Sequence, residues 1–346
     1  MSFFTDLILQ TKEKYAPDAR TALFDVSVRL DNSVIVLRGV TNKPEAFHEF
    51  SFALHEGYSG LYYNEIVLLP DKEAAQYAMA VVNVSVANLK AQPSHSSELA
   101  SQAMLGTPLK VWQQSKGWWR VQTPDHYIAW VEQDSITLFT EEKYKAYLAQ
   151  EKAVVVADVS WGLEYPEKGS RRIGDFVRGN LISVTNISGN YAAITYPDGT
   201  AAFLPQDDII SFQEWQARFK PEAYAVIGEA FRYKGIPYLW GGTSPKGMDC
   251  SGFTKIVFGM YGVHLQRDAS QQVHEGKAIN LSELRPADLL FFSDRPDKRI
   301  THVAIYIGND QYIHASGRVR VNSLDEKSPI FDAFRKETLV CARRVL

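Results

Sequence analysis

The chain has 346 residues, of which 45% are hydrophobic and 22% charged, a composition typical of a folded globular protein with roughly two to four domains. The formal net charge of −3 provides no basic field for nucleic acid or for an anionic membrane surface, so we expect neither as a partner. The two cysteines, Cys250 and Cys341, are too few for a disulfide framework, and nothing indicates an obligate protein partner.

The first residues, Met1 to Asp6, lack the basic segment, the apolar core and the small-residue cleavage site of a secretory signal. No apolar run approaches the ~20 residues of a membrane span. We therefore expect a cytoplasmic protein. A periplasmic or exported chain from which a signal had been trimmed would have the same sequence.

Residues 1–78 are predicted to form a small α+β unit. Its predicted elements are strands at 24–30 and 34–37, a helix at 44–54 and a strand at 65–69. This ββαβ order resembles the BON-type domain, and we assign it no chemistry.

An internal repeat occupies the middle of the chain. One spacing of an aromatic residue, a proline and a second aromatic residue occurs twice, offset by 73 residues, at Trp118, Pro124 and Trp130 and at Tyr191, Pro197 and Phe203. Each copy has Pro-Asp in a turn between strand-like runs, and a short helix follows each, at 141–150 and 212–219. The repeat predicts two small β-barrels, at 79–140 and 151–213.

These barrels resemble bacterial SH3-like domains. The resemblance rests on Asn88-Leu89-Lys90 and on the run from Gly117 to Val121 in the first copy. The second copy has no aromatic pair like Trp118-Trp119, so we assign it a scaffolding role.

Cys250 lies in a sequence that predicts a reactive thiol. Apolar residues continue at helical spacing from Phe253 to Met260, which places Cys250 at the first turn of a helix. Unpaired N–H groups and the positive end of the helix dipole favour an anion there, so we predict a lowered thiol pKa. A structural cysteine is the alternative, and it fits Cys341 in its apolar run.

Two histidines follow on a predicted hairpin. His302 and His314 lie on strands that flank a turn at 308–310. If residue 302 pairs with residue 316, both histidines project from one face as diagonal neighbours. A thiolate needs a base, and that base needs a third group to hold its ring, so this face predicts both partners for the cysteine.

Zinc binding is the competing chemical interpretation, because cysteine and histidine are zinc ligands. The chain has no close Cys-x-x-Cys or His-x-x-x-His pair. We therefore expect no metal and no other cofactor.

The region from about 221 to the C-terminus resembles the NlpC/p60 family of papain-like cysteine peptidases. The matching segments are 237–242, 249–253, 267–268, 285–292 and the 302–314 hairpin. The resemblance implies an α+β papain-like domain at 220–346, with Cys250 as nucleophile, His302 as base and His314 as the residue that orients the base. Members of the family cut peptidoglycan stem peptides, commonly at the γ-D-glutamyl bond to a diamino acid.

The SH3-like domains extend what the resemblance implies. Members of this architecture are γ-D-glutamyl-L-diamino acid endopeptidases that recycle muropeptides with a free N-terminal L-Ala, and an SH3-like domain closes one side of their cleft. The expected partner is thus an L-Ala-γ-D-Glu-diamino acid muropeptide. The residues implied to bind it are Asp249, Ser251, Tyr238, Glu98, Tyr127, Asp268 and Trp240. The ordinary alternatives are a helix N-cap for Asp249, a loop acid for Glu98, and core rings for Tyr127 and Trp240.

Two other functions stay open. A wall-binding adaptor could act through the SH3-like repeats, although an eroded catalytic trio would then be expected and the trio is intact. A thiol acyltransferase or amidase could use the same site, because the site determines the nucleophile and not the acyl acceptor.

Overall fold

The computed structural model describes residues 2–32, 34–217 and 222–346. These residues form four successive units. The predicted start of the catalytic domain at residue 220, and the end of the predicted helix at residue 219, lie outside the described residues.

The N-terminal unit is a three-stranded sheet with two helices. Its elements are α1 (Ser2–Tyr15), β1 (Phe24–Asp31), β2 (Val34–Thr41), α2 (Pro44–Gly57) and β3 (Tyr62–Leu68). β1 and β2 are antiparallel, whereas β3 is parallel to β2, and the crossover that a parallel pair needs is α2. The sequence predicted the ββαβ order and missed α1. Only Phe4 and Thr11 of α1 are buried, so its apolar stripe is weak.

The first SH3-like unit is a seven-stranded antiparallel sheet that encloses its own core. Its elements are β4 (Met79–Val82), β5 (Val86–Lys90), β6 (Leu99–Met104), β7 (Pro108–Ser115), β8 (Trp118–Gln122), β9 (Ile128–Glu132), β10 (Ile136–Phe139) and helix α3 (Glu141–Leu148). The strands pair in the order β10-β4-β7-β8-β9-β5-β6. Leu89, Val121 and Val131 are fully buried in the core.

The second SH3-like unit repeats this arrangement. Its elements are β11 (Lys152–Val155), β12 (Val159–Leu163), β13 (Arg172–Val177), β14 (Leu181–Ser188), β15 (Tyr191–Thr195), β16 (Ala201–Pro205), β17 (Ile209–Ser211) and helix α4 (Phe212–Ala217). When β11–β17 are matched in turn to β4–β10, the two pairing orders are the same. Arg120 pairs with Trp130 in the first unit, and Ala193 pairs with Phe203 in the second. The repeat predicted from the sequence is confirmed.

The C-terminal unit packs helices against a six-stranded sheet. Its elements are α5 (Ala223–Arg232), β18 (Thr243–Ser244), β19 (Gly247–Met248), α6 (Cys250–Gly259), α7 (Ala269–Gln272), β20 (Lys277–Ile279), β21 (Leu289–Phe292), β22 (His302–Gly308), β23 (Gln311–Ser316), β24 (Arg318–Ser323), α8 (Ala333–Thr338) and β25 (Leu339–Arg344). The strand order is β20-β25-β21-β22-β23-β24, and α6 lies on β22 and β23. Phe253, Val303 and Ile313 share the core between them.

Ion pairs join the last three units. They are Lys255 Nζ–Asp125 Oδ2 at 2.6 Å, Arg178 Nε–Glu229 Oε1 at 2.7 Å and Lys246 Nζ–Asp175 Oδ2 at 2.6 Å. Residues from different units can therefore share one site. The predicted α+β class is confirmed, and no helix within the described residues is long and apolar enough to cross a membrane.

Candidate active site

Cys250 is the first residue of α6, where the sequence placed it. Asp249 is the N-cap, and its Oδ1 accepts the Gly252 N–H at 2.7 Å. The first turn lies directly against a Gly-Gly segment, because a Cβ on Gly252 would stand 2.0 Å from the Gly242 carbonyl oxygen. A side chain at Gly252 would therefore force the first turn of α6, which carries Cys250, away from this segment.

The two histidines lie on the hairpin of β22 and β23. The two strands pair Ile305 with Ile313 and Tyr306 with Tyr312. The same register, extended along the strands, sets residue 302 opposite residue 316. The turn residues Asn309 and Asp310 have φ of 52° and 57°, as a two-residue type I′ turn requires. The predicted hairpin and its register are confirmed.

A relay of hydrogen bonds crosses three adjacent strands. His302 Nε2 lies 2.8 Å from His314 Nδ1, and His314 Nε2 lies 3.1 Å from Asn322 Oδ1 on β24. The amide oxygen only accepts, so His314 Nε2 carries the proton and its Nδ1 accepts from His302 Nε2–H. His302 Nδ1 is then left with a lone pair, as a base requires.

Asn322 was missed by the sequence reasoning. It lies diagonally across β23–β24 from His314, which pairs directly with Arg320. The same period-two rule that linked the two histidines could have found it, had the strand after the hairpin been placed in register.

The thiol sulfur lies at the start of β22. The backbone N–H groups of Val303 and Ser251 face the sulfur of Cys250, and Val303 follows His302 in β22. Burial, followed by the negative charge of Asp249, raises the pKa of Cys250 to about 11. Burial, followed by the charges of Arg335 and His314, lowers the pKa of His302 well below its usual value.

The prediction of a lowered thiol pKa is therefore wrong for the free enzyme. Cys250 is only 7% exposed, and its N-cap neighbour brings a negative charge to the helix end that was expected to favour the thiolate. Burial penalises the charged form of the cysteine and that of His302 alike. The resting pair is a neutral thiol beside a neutral imidazole.

Asp249 is held by a buried arginine that the sequence reasoning quoted and assigned no role. Arg267 is 1% exposed and donates from Nη2 to Asp249 Oδ2 at 2.6 Å and from Nη1 to Asp249 Oδ1 at 3.2 Å. Ser251 Oγ donates to the same carboxylate and accepts from Arg267, while Arg267 Nε reaches Ser101 Oγ of the first SH3-like unit at 3.1 Å. The Asp249 carboxylate is thus paired with Arg267 and caps the helix end, and its contact with substrate stays a prediction.

Trp240 and Glu98, which the resemblance also implies as binding residues, contact each other across the junction between the catalytic unit and the first SH3-like unit. Trp240 is 65% exposed, and its Nε1 donates to Glu98 Oε1 at 2.6 Å. Tyr238 is half-buried. Burial, followed by the negative charge that Cys250 can carry, raises the pKa of Tyr238. Tyr127 is 9% exposed in the core of its unit, where burial and then Asp268 raise its pKa to about 12.

The described residues contain no group of three or more histidine, cysteine, aspartate or glutamate side chains placed to hold a metal ion. His314 faces His302 and Asn322, and the Cys250 sulfur faces backbone N–H groups. The arrangement of Cys250, His302 and His314 is suited to transfer a proton to and from the thiol.

His314 offers a direct test of this relay. We expect His314→Asn to retain about ten times more activity than His314→Ala, because Asn Oδ1 replaces the Nδ1 lone pair that accepts from His302. Steady-state hydrolysis and thermal unfolding of both variants would be measured. Equal loss in two well-folded variants would contradict the orienting role.

Two regions of the chain match known protein families. Residues 235–342 match the NlpC/P60 family, and residues 89–136 match the bacterial dipeptidyl-peptidase Sh3 domain. The chain is 29% identical over 265 residues to a dipeptidyl-peptidase 6 of Lysinibacillus sphaericus, covering 73% of this chain and 94% of the relative. It is 27% identical over 234 residues to a γ-D-glutamyl-L-lysine dipeptidyl-peptidase of Bacillus cereus, covering 64% and 68%.

A solved structure shares the fold. A crystal structure of an NlpC/P60 family protein from Bacillus cereus superposes with a TM-score of 0.67 at 22% identity, over 78% of this chain and all of the other. The family match, the SH3 match and the site geometry together show that the chain carries an NlpC/P60 cysteine peptidase domain behind a bacterial dipeptidyl-peptidase SH3 domain.

Proposed function

We propose that this peptidase hydrolyses the γ-D-glutamyl bond to a diamino acid in short peptidoglycan-derived peptides that begin with a free L-Ala. The contact between Glu98 and Trp240 carries the proposal, because it brings a carboxylate of the first SH3-like unit onto the catalytic unit. The name of the Bacillus cereus relative, a γ-D-glutamyl-L-lysine dipeptidyl-peptidase, supports the bond type.

Glu98 is the carboxylate best suited to bind an ammonium group. Asp249 is neutralised by Arg267, whereas among the described residues no basic side chain forms an ion pair with Glu98. An exposed carboxylate with one indole donor keeps acceptor capacity for a charged amine. We propose that the part of the first SH3-like unit that carries Glu98 limits the space ahead of the scissile bond.

The site residues account for the chemistry. His302 Nδ1 takes the proton of the Cys250 thiol, and the sulfur attacks the γ-carbonyl carbon of D-Glu. The same nitrogen then protonates the departing amine of the diamino acid, which leaves a thioester on Cys250. His302 next removes a proton from water, which attacks the thioester and releases L-Ala-γ-D-Glu and the free thiol.

Selectivity for the free amine tests the proposal. We expect mass spectrometry to find L-Ala-γ-D-Glu released from L-Ala-γ-D-Glu-L-Lys, and little release from the N-acetylated peptide. Glu98→Gln should raise KM for the free-amine peptide about tenfold and narrow the gap between the two substrates, since it removes a charge-assisted bond.

Glu132→Gln is the matched control, because Glu132 is a half-exposed acid of the same unit and lies 3.7 Å from His95. It should leave both KM values unchanged. Equal cleavage of the acetylated peptide, or efficient digestion of intact sacculi, would contradict the proposal. The setting we propose is the cytoplasmic turnover of peptides already released from the wall, which cell fractionation tests.

A further inference from the structure

The N-terminal unit contacts both the first SH3-like unit and the catalytic unit. The segment between α1 and β1 accepts the Ile128 N–H at the Arg20 carbonyl oxygen, at 2.6 Å, and Gln122 Nε2 donates to the Thr21 carbonyl oxygen at 3.1 Å. On the catalytic side, Gln271 Nε2 donates to Asp18 Oδ2 at 3.2 Å. This segment therefore bridges the first SH3-like unit, next to Tyr127, and the start of α7.

Arg20 carries the charged part of this bridge. Its Nη1 donates to Asp268 Oδ2 at 2.8 Å and to Ser270 Oγ at 3.0 Å, both at the start of α7. Asp18 holds the other edge of the guanidinium with two bonds of 2.8 Å, from Nε and from Nη2. A guanidinium clamped on one edge is already oriented for a carboxylate on the other.

Asp268 stands between two arginines. Its Oδ2 is bound by Arg20, and its Oδ1 lies 3.8 Å from Arg267 Nη1. Arg267 in turn holds Asp249, the N-cap beside the nucleophile, at 2.6 Å. Four ion pairs therefore connect Asp18, in the N-terminal unit, to the residue that precedes Cys250, through Arg20, Asp268, Arg267 and Asp249.

Because these side chains are largely shielded from water, the charge of each one affects the pairing of the others. Arg267 is 1% exposed, and the side chains of Arg20 and Asp268 are about one-third exposed. The hydrogen bonds that Arg20 donates to Asp18 and to Asp268 raise the pKa of Arg20, so it stays charged. Without Arg20, Asp268 would have only Arg267 as a cationic partner, and it would compete with Asp249 for that guanidinium.

We propose that Arg20 is a positioning residue of the substrate cleft, so that the N-terminal unit forms a third wall of the site. Arg20 binds Asp268 Oδ2 at 2.8 Å, so that Asp268 keeps only the 3.8 Å contact with Arg267, whose short hydrogen bond goes to Asp249. The matched family ranges, 89–136 and 235–342, include no residue of this unit. The inference rests on the proposed function, because the affected ligand is the L-Ala-γ-D-Glu portion of the substrate.

The test compares Arg20→Met, Arg20→Lys and the control Arg29→Met in the full chain. Arg29 is an exposed arginine of the same unit that pairs with Asp31 at 3.3 Å. We expect Arg20→Met to raise KM for L-Ala-γ-D-Glu-L-Lys about tenfold with kcat changed less than about threefold, because binding geometry is lost and the Cys-His pair is intact. Arg20→Lys should recover much of the affinity, and Arg29→Met should match the wild-type protein.

A binding measurement separates this inference from the proposed function. Calorimetry with the dipeptide L-Ala-γ-D-Glu would be run on Cys250→Ala protein with and without Arg20→Met, and we expect about tenfold weaker binding in the double variant. Unchanged KM and unchanged dipeptide affinity in Arg20→Met would overturn the inference while leaving the proposed function standing. A lower Tm with KM unchanged would assign Arg20 a purely structural role and overturn it as well. A wild-type protein that neither cuts the tripeptide nor binds the dipeptide would reject both proposals together.

Discussion

Cys250→Ala should lower the hydrolysis rate by at least about 10⁴-fold, because no other group near His302 can form the acyl intermediate. The fold should persist, since the change removes one sulfur atom at the start of α6 and leaves the Asp249 cap in place. The measurements are steady-state kinetics and thermal unfolding of the purified variant.

Cys341→Ala is the matched control. Cys341 is half-buried on β25 opposite Phe291, and β21 separates it from the strand that carries His302. We expect it to retain near-normal activity. Peptide mapping after iodoacetamide inactivation should find the label on Cys250; inactivation that follows labelling of Cys341 and spares Cys250 would identify a different nucleophile.

His302→Ala should be nearly as damaging as the loss of Cys250. A thiol whose pKa is about 11 is protonated at neutral pH, so it needs a neighbouring base to become a nucleophile. Residues that act as one catalytic unit are not additive, so the Cys250→Ala/His302→Ala double variant should be no slower than either single variant. Losses that multiply would show that the two residues act independently.

The pH dependence of the wild-type enzyme follows from the same pair. His302 acts in its neutral form, which is lost as the pH falls through its pKa. Burial holds that pKa well below 6.5, so kcat/KM should stay on its plateau as the pH falls past 6.5 and decline only at lower pH. A profile already at half its maximum at pH 6.5 or above would mean that His302 is not buried in the way described.

Local patterns in the sequence determined most of the catalytic constellation. Helical spacing after Cys250 predicted where α6 begins, and the turn after Gly308 predicted the hairpin and hence the shared face of the two histidines. The 73-residue offset predicted two units whose pairing order then proved the same. The helix start and the hairpin depend on residues a few positions apart, whose geometry follows from helix and strand periods, and the repeat is one such short pattern that occurs twice.

Only the tertiary structure decided the electrostatics and the walls of the site. The direction of the Cys250 pKa shift depends on burial beneath other elements, which helix-end reasoning does not contain. The pairing of Arg267 with Asp249 joins residues 18 positions apart, and that of Arg20 with Asp268 joins residues 248 apart. Desolvation and charge pairing depend on distances in space. Those distances are set by how separate units pack, and no periodic pattern in the sequence encodes them.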